Sequence, residues 1–192
     1  MKSDEIKRAA LKYFTIHGYE GASLSKIAEE VGLKKQSLYS HFKGKDDLFL
    51  QAIRDAGEVE LNRKLAFFNN HKNDSPEKSL HAYLVMVKEL FELDERMKFW
   101  LRISFFPPEH LYHVIGNEVF SIENQVREML EAKFAEWMKE DEIYKEQPSI
   151  PASAFTGIVD ALMLELLYDS SPERINEKLE STWTVFWRGI CK

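Results

Sequence analysis

The spacing of apolar residues predicts short helices in the first part of the chain. Steps of three and four residues between apolar positions predict a helix over residues 2–17 that stops at Gly18. A two-turn helix follows and ends at Gly32, and another short helix ends before Gly44. The beginning of the chain is therefore predicted to be a small three-helix unit.

Longer helices are predicted further along the chain. An apolar stripe over residues 48–65 ends at the polar run 69–74, which indicates one long helix. Residues 75–77 and 171–173 both read Ser-Pro-Glu, an order typical of an N-cap, a first-position proline and a first-turn acid. Further helices are predicted at about 76–93, 95–105, 119–138, 152–168 and 172–190. Since we find no convincing strand, the sequence predicts an all-α fold of about nine helices.

The composition is typical of an ordinary globular protein inside a cell. Apolar residues make up 44% and charged residues 30% of the 192-residue chain. Its one cysteine, Cys191, can neither form an internal disulfide nor by itself supply a thiolate zinc site. These features favour an intracellular protein without a structural metal.

Charge is distributed unevenly along the sequence. The whole chain has a net charge of -6, but residues 1–45 carry nine Lys or Arg and five acids, a net +4 that leaves -10 for the rest. This asymmetry indicates a small basic domain attached to an acidic one, and a basic domain is what a nucleic-acid partner would need.

The longest apolar stretch is interpreted as a buried helix of a water-soluble protein. It covers residues 154–168, is shorter than a membrane span, and contains Asp160 and Glu165. These acids are five residues apart and so point to different faces. One of them could meet a cationic ligand or a base across a dimer, and a solvated rim is an equal alternative. Since the first eight residues lead into no apolar segment, we expect a cytoplasmic protein without a signal peptide or membrane partner.

Residues 23–42 have the pattern of two short helices joined by a tight turn. Gly32 tolerates the left-handed conformation that such a turn needs, and Ala28 is small enough for the two helices to cross closely. This pattern predicts a helix-turn-helix, whose second helix lies in the major groove of DNA. The same pattern also occurs in proteins that never contact DNA, so by itself it leaves both interpretations open.

The first 48 residues resemble the signature of the tetracycline-repressor (TetR) family of bacterial one-component regulators. The positions that carry the resemblance are Ile6, Ala9, Ala10, Phe14, Gly18, Tyr19, Ser23, Ile27, Ala28, Gly32, Leu38, Tyr39, His41, Phe42, Lys45 and Leu48. The resemblance implies a three-helix DNA-binding domain over residues 1–46 and a helical ligand-binding and dimerisation domain over 47–192. Two positions depart from the family pattern: Lys34 replaces a capping Ser or Thr, and Gln36 replaces a Gly or Ala.

The recognition helix supplies the residues expected to contact DNA. Lys35 suits guanine O6 and N7, and Gln36 suits adenine N6 and N7. The hydroxyls of Ser37 and Tyr39 could meet a phosphate or a thymine edge, although Tyr39 could instead pack in the core, as Phe42 is expected to do. Contacts to the DNA backbone are expected from Lys26, Lys34, His41, Lys43 and Lys45.

The remaining helices are expected to bind a ligand and a second copy of the chain. The last two helices resemble the family's dimerisation pair, with contacts expected from Phe155, Ile158, Val159, Leu162, Leu166, Leu179, Trp183, Phe186 and Trp187. An effector pocket is expected among Tyr83, Met86, Phe91, Trp100, Phe105, Tyr112 and Phe120. Both sets could instead only fill the core of the chain itself.

The resemblance implies a ligand-responsive transcriptional regulator. Such a protein would be a homodimer, most often a repressor, that is released from a palindromic double-stranded DNA operator by a small apolar or aromatic effector. The alternatives are a helical binding or assembly protein that no longer binds DNA specifically, and an all-helical enzyme. His110 and His113 with Glu109 could hold a metal ion, but a solvated turn is the better interpretation. Since no phosphate loop, nucleophile elbow or catalytic carboxylate pair is present, we expect no enzyme, cofactor or metal.

Overall fold

The computed structural model describes residues 2–192, which form nine α-helices and one short 3₁₀ turn at Glu109–Leu111. The helices are α1 (Lys2–Gly21), α2 (Leu24–Glu30), α3 (Lys35–Leu38), α4 (Lys45–Asn70), α5 (Pro76–Leu93), α6 (Glu95–Phe105), α7 (Tyr112–Lys139), α8 (Ser149–Leu167) and α9 (Pro172–Ile190). Over the described residues there is no strand, only an isolated bridge between Ile143 and Cys191. The predicted all-α fold is confirmed.

The helices group into two packing units. The first consists of the chain up to Glu60 together with Asp94–Phe120, and the second consists of Leu61–Leu93 with Ser121–Lys192. The boundary therefore falls inside α4 and again inside α7. These two units are defined by which helices pack together. The predicted division at residue 46 separates a DNA-binding from a ligand-binding and dimerisation domain, and it stays a prediction.

Aromatic rings from three helices form the centre of the first unit. The Phe49 ring of α4 lies edge-on to Phe14 of α1, with ring centroids 4.6 Å apart, and to Phe99 of α6 at 5.9 Å. All three side chains are fully buried, and α1 also packs against α2. Edge-to-face rings at these separations add a directional contribution to the hydrophobic burial. This core holds the N-terminal helices together.

The second unit is built on α8, which packs against both α5 and α9. The fully buried Phe155 ring of α8 lies 5.9 Å from Tyr83 of α5 and 5.7 Å from Phe186 of α9. By length and composition α8 could also cross a membrane, but a buried core helix passes the same test. Its contacts on two sides explain why it is apolar around most of its circumference.

Two helices begin earlier than the sequence predicts. α8 starts at Ser149 instead of 152, because Pro151 lies in the first turn, where its missing N–H costs no hydrogen bond. α7 starts at Tyr112 instead of 119, and the buried Ile115 and Val119 follow each other at the four-residue helical step. The two Ser-Pro-Glu signals are confirmed, since the hydroxyls of Ser75 and Ser171 accept hydrogen bonds from backbone N–H groups at 3.3 and 3.4 Å.

The buried acid in α8 is neutralised within the chain. The Glu165 carboxylate is 8% exposed and accepts hydrogen bonds from Arg174 Nε at 2.6 Å, from the second guanidinium N–H group of Arg174 at 3.1 Å and from Ser170 Oγ at 2.6 Å. These hydrogen bonds lower the pKa of Glu165 to about 2. This geometry matches neither a contact with a cationic ligand, nor a contact with a base across a dimer, nor a solvated rim. Glu165 instead ties the start of α9 to the end of α8.

We expect Glu165 to stabilise the fold above its unfolded-state pKa and to lose that contribution as the pH falls. The folded-state pKa of about 2 lies below the ordinary glutamate value of 4.5, so the contribution is present above pH 4.5 and disappears towards pH 2. Glu165→Gln should lower the urea midpoint at pH 6 and should reduce the decrease of that midpoint between pH 6 and pH 3. The matched control is Glu128→Gln, an exposed acid of α7, which should leave the midpoint and its pH dependence unchanged. Equal pH dependence in the wild type and Glu165→Gln would contradict this assignment.

Candidate DNA interface and ligand sites

The turn before α3 has the backbone conformation that the sequence predicts. Gly32 has φ +68°, in the left-handed region that a side chain strains. The N–H groups of Gly32 and Leu33 donate to the carbonyls of Glu29 and Ala28 at 3.0 and 2.8 Å, which closes the end of α2. The chain then enters α3 at Lys35. The expected role of Gly32 is confirmed.

The recognition helix itself is only four residues long. Lys34 is its N-cap, and its side chain makes no capping hydrogen bond, as expected for a residue that replaces Ser or Thr. Beyond Leu38 the backbone continues in hydrogen-bonded turns, since the N–H groups of His41 and Phe42 both donate to the Leu38 carbonyl at 2.9 Å. Leu38 and Phe42 are 2% and 3% exposed, so this segment is anchored through its apolar side.

The residues expected to contact DNA lie on the opposite, solvent-facing side. Tyr39 is 53% exposed, which excludes the alternative that it packs in the core, whereas Phe42 is buried as expected. Ser37 and Lys45 are partly exposed, and the exposed members of the set are Lys26, Lys34, Lys35, Gln36, Tyr39, His41 and Lys43. These exposed residues all come from α2, α3 and the turns on either side of α3.

The cations of the N-terminal helices divide into two groups. Lys7 pairs with Asp55 at 2.6 Å, and Lys12 pairs with Glu30 at 2.7 Å, so these lysines are part of the internal structure. Lys26, Lys34 and Lys35 are in no ion pair with any residue that the structure describes. The positive charge that remains available to a phosphate or a base edge is therefore concentrated at the helix-turn-helix.

The start of α4 is less suited to phosphate than the sequence predicts. Asp46 and Asp47 lie in its first turn, and Asp47 Oδ2 accepts a hydrogen bond from the Lys43 N–H at 2.8 Å. Lys45 lies 4.4 Å from the centroid of the Tyr19 ring and donates to the Glu20 carbonyl at 3.3 Å. Because two carboxylates already occupy this helix end, an incoming phosphate would be repelled there. The adjacent acids Asp46 and Asp47 were the feature of the sequence that could have predicted an unfavourable site for phosphate at the start of α4.

His110, one of the candidate metal ligands, belongs to a small polar cluster with Tyr19 and Asp46 at the start of α4. The Tyr19 hydroxyl donates to Asp46, and His110 Nε2 lies 3.5 Å from Asp46 Oδ1. These hydrogen bonds lower the pKa of Asp46, while burial raises the pKa of Tyr19. His113 lies on α7 and is exposed. Within residues 2–192, no group of three or more His, Cys, Asp or Glu side chains has an arrangement that could hold a metal ion.

The residues expected to line an effector pocket are divided between the two packing units. In the second unit, Tyr83 is buried in the aromatic core, Phe91 is half-buried, and Met86 lines a surface groove along α5. In the first unit, Trp100 is buried, whereas the other three are exposed: Phe105, Tyr112 and Phe120. The sequence shows only that these side chains are aromatic or soft, which suits both a core and a ligand pocket. Their burial in the structure is needed to tell core residues from residues that could line a pocket.

Most residues expected at a dimer interface lie inside the chain's own core. The side chains that are less than 9% exposed are Phe155, Val159, Leu162, Leu166, Leu179, Trp183 and Phe186, while Ile158 and Trp187 are half-buried. The buried ones pack between α5, α8 and α9, so they have little surface left for a partner. α8 and α9 instead expose other apolar side chains, among them Ile150, Leu164, Tyr168 and Val185.

The positive-φ turn, the anchored short helix and its exposed cations together define a helix-turn-helix protein. Residues 6–52 match the family described as bacterial regulatory proteins, tetR family. This N-terminal segment is therefore similar to the TetR family of regulators.

Relatives and solved structures agree with this assignment. IcaR of Staphylococcus aureus, a negative transcriptional regulator of the biofilm operon icaADBC, is 28% identical over 114 residues. This match covers 59% of this chain and 59% of IcaR. A TetR-family regulator of Mesorhizobium loti has a TM-score of 0.79 at 18% identity, with 100% of this chain and 97% of that chain covered. FadR of Bacillus subtilis, solved with stearoyl-CoA, has a TM-score of 0.71 at 16% identity, with 95% and 96% covered. The structural matches establish a shared fold.

We expect Gly32→Ala to destabilise the protein through backbone strain alone. A Cβ atom at Gly32 would meet no atom within 4 Å, so the cost of about 1–2 kcal/mol comes from the left-handed conformation. Gly44→Ala is a matched control, because Gly44 has the same free space and no positive φ. Urea unfolding should show a lower free energy of unfolding for Gly32→Ala only. Equal losses in both variants would mean that the turn at Gly32 is not under this constraint.

Proposed function

We propose that this chain is a ligand-responsive transcriptional regulator that binds a palindromic operator as a homodimer and represses transcription. The observation that carries the proposal is the exposed, unpaired group Lys34, Lys35 and Gln36 at the start of α3. Lys and Gln at the N-terminal end of a recognition helix reach base edges in the major groove. IcaR is a negative transcriptional regulator, which supports the repressor role.

Contacts to DNA divide into two kinds under this proposal. Lys35 and Gln36 read base edges, and Tyr39 and Ser37 lie beside them on the same segment. Lys26, Lys34, Lys43 and His41 neutralise or contact the phosphate backbone and carry no sequence information. Lys45 supports the site from within, because it lies over the Tyr19 ring.

The dimer in this proposal uses an exposed stripe of α8. Ile150, Leu164 and Tyr168 are 53%, 42% and 68% exposed, and small residues occupy the helical steps between them at Ala154, Gly157 and Ala161. An apolar stripe with small residues at its centre allows two copies of a helix to approach closely. A two-fold dimer requires a two-fold symmetric operator.

The effector part of the proposal concerns the second packing unit. FadR, which has the same fold, was solved in complex with stearoyl-CoA, so the fold accepts a small molecule. A ligand that prefers one arrangement of the DNA-binding helices would shift the population away from the operator-bound state. We place the protein in the cytoplasm, where its DNA partner lies, and infer regulation rather than catalysis as its activity.

The base-reading assignment predicts different defects from two variants. On a duplex that the wild type binds specifically, the double variant Lys35→Ala with Gln36→Ala should lose about 1–3 kcal/mol of discrimination per base contact. Lys43→Ala should weaken binding to specific and random duplexes alike and should reduce the salt dependence by about one counterion. Fluorescence anisotropy titrations at several salt concentrations measure both effects. If both variants lost specificity equally, the division into base and backbone contacts would be wrong.

The dimer assignment predicts that a charge on the α8 stripe separates the subunits. Leu164→Glu would bury an unpaired carboxylate in the interface, at a cost of several kcal/mol, and should raise the dimer dissociation constant at least about a hundredfold. Leu93→Glu is the control, because Leu93 is 83% exposed on α5 and outside the stripe. Sedimentation equilibrium should find monomers for Leu164→Glu and dimers for Leu93→Glu and the wild type. A dimeric Leu164→Glu protein would exclude this interface.

A further inference from the structure

A surface groove runs along α5 in the second packing unit. Lys78, Ala82, Val85 and Glu89 line it at steps of four, three and four residues, so they form one stripe of the helix about 16 Å long. The groove is open to solvent and has a volume of about 750 Å³, which is within the size range of sites for drug-sized molecules. Its other side is formed by the end of α4 and by Trp183 of α9.

Aromatic rings form both walls of this α5 groove. Phe67 stacks on His71 with ring centroids 4.0 Å apart, and the Trp183 ring lies 5.3 Å from His81. Trp183 is itself braced by Trp187, which stacks on it at 5.6 Å. Phe67, His71 and His81 are only half-buried. These three rings are therefore partly open to the groove, whereas Trp183 is 7% exposed and presents only a small part of its ring.

The charge that remains available in the groove is negative. Lys78 pairs with Asp74 at 2.7 Å, and His81 Nε2 lies 3.3 Å from Glu180 Oε1. Glu77 and Glu89 also line the groove, are exposed, and form no ion pair within the part of the chain that the structure describes. The groove therefore combines aromatic rings with two carboxylates that lack a cationic partner.

We propose that the α5 groove is the effector site and that it binds a lipophilic aromatic cation. Such a ligand gains from the half-buried Phe67 ring, since an aromatic ring attracts a cation through its quadrupole, and it gains from Glu77 and Glu89 through charge. An anion would be repelled by the same two carboxylates, and a small hydrophilic cation would leave the apolar floor at Ala82 and Val85 uncovered. The proposal rests on the effector clause of the proposed function and names the class of effector.

The charge part of this proposal is tested with two dyes that share one ring system. Tetramethylrhodamine ethyl ester is a xanthene cation, and fluorescein is a xanthene anion at neutral pH. Fluorescence anisotropy should detect binding of the cation to the full chain and little binding of the anion. Glu77→Gln with Glu89→Gln should weaken binding of the cation about tenfold, since both carboxylate charges are removed at nearly constant shape. The matched control, Glu92→Gln with Glu128→Gln, removes the same charge from exposed sites outside the groove and should bind as the wild type does.

A second variant tests the location through shape. Ala82→Phe keeps every charge and fills the floor of the groove, so it should abolish binding of the cation while the thermal unfolding midpoint stays close to that of the wild type. Binding that is unchanged in Ala82→Phe or in the Glu77/Glu89 variant would overturn the proposal, as would equal affinity for the two dyes.

The dye titrations are carried out without DNA, so ligand binding in the groove and the proposed DNA binding are tested independently. A protein that binds its operator but shows no cation binding in the groove would retain the DNA function and would exclude this effector site. A protein that binds the cation in the groove, with the operator complex unaffected at saturating dye, would refute the effector role. Release of the operator by the dye in the wild type but not in Ala82→Phe is the result that the proposal expects.

Discussion

The proposed DNA site depends on the burial of two side chains, Leu38 and Phe42. A helix of four residues cannot persist in water by itself, because the first turn fixes several backbone angles for each hydrogen bond gained. The burial of Leu38 and Phe42 supplies the free energy that keeps α3 folded, and it sets the direction in which Lys35 and Gln36 point. The specificity proposed for this short segment is therefore a property of the packing beneath it.

Electrostatic pairing adds a second level of organisation to the N-terminal helices. Lys7 and Lys12 are held by acids of neighbouring helices, whereas Lys34 and Lys35 form no ion pair with any residue in the range 2–192. Exposed unpaired cations cost little in water and are attracted strongly to a polyanion. The acidic overall charge is compatible with this partner because the available positive charge is local.

The sequence predicted those features that depend on local chemistry. Gly32 was identified because few residues tolerate a positive φ, and the start of α5 was identified because Ser75 and Pro76 suit the first turn of a helix. The roles of the apolar side chains were harder to predict, since Phe155 and Leu164 look alike in a hydrophobic pattern although one is fully buried and the other is exposed. The small residues Ala154, Gly157 and Ala161 of α8 were the feature of the sequence that could have indicated its exposed stripe. No sequence pattern could reveal the groove, because its walls come from α4, α5 and α9, which are far apart along the chain.

The most direct test of the account is to let the purified full-length chain select its own binding site. A pool of random duplex DNA is incubated with the protein at near-physiological salt, and the bound fragments are sequenced. We expect a two-fold symmetric motif, with half-sites about one helical turn apart or a multiple of it, as two copies of the recognition segment would require. A folded, dimeric protein that enriches no sequence would contradict the central claim that this helix-turn-helix reads DNA.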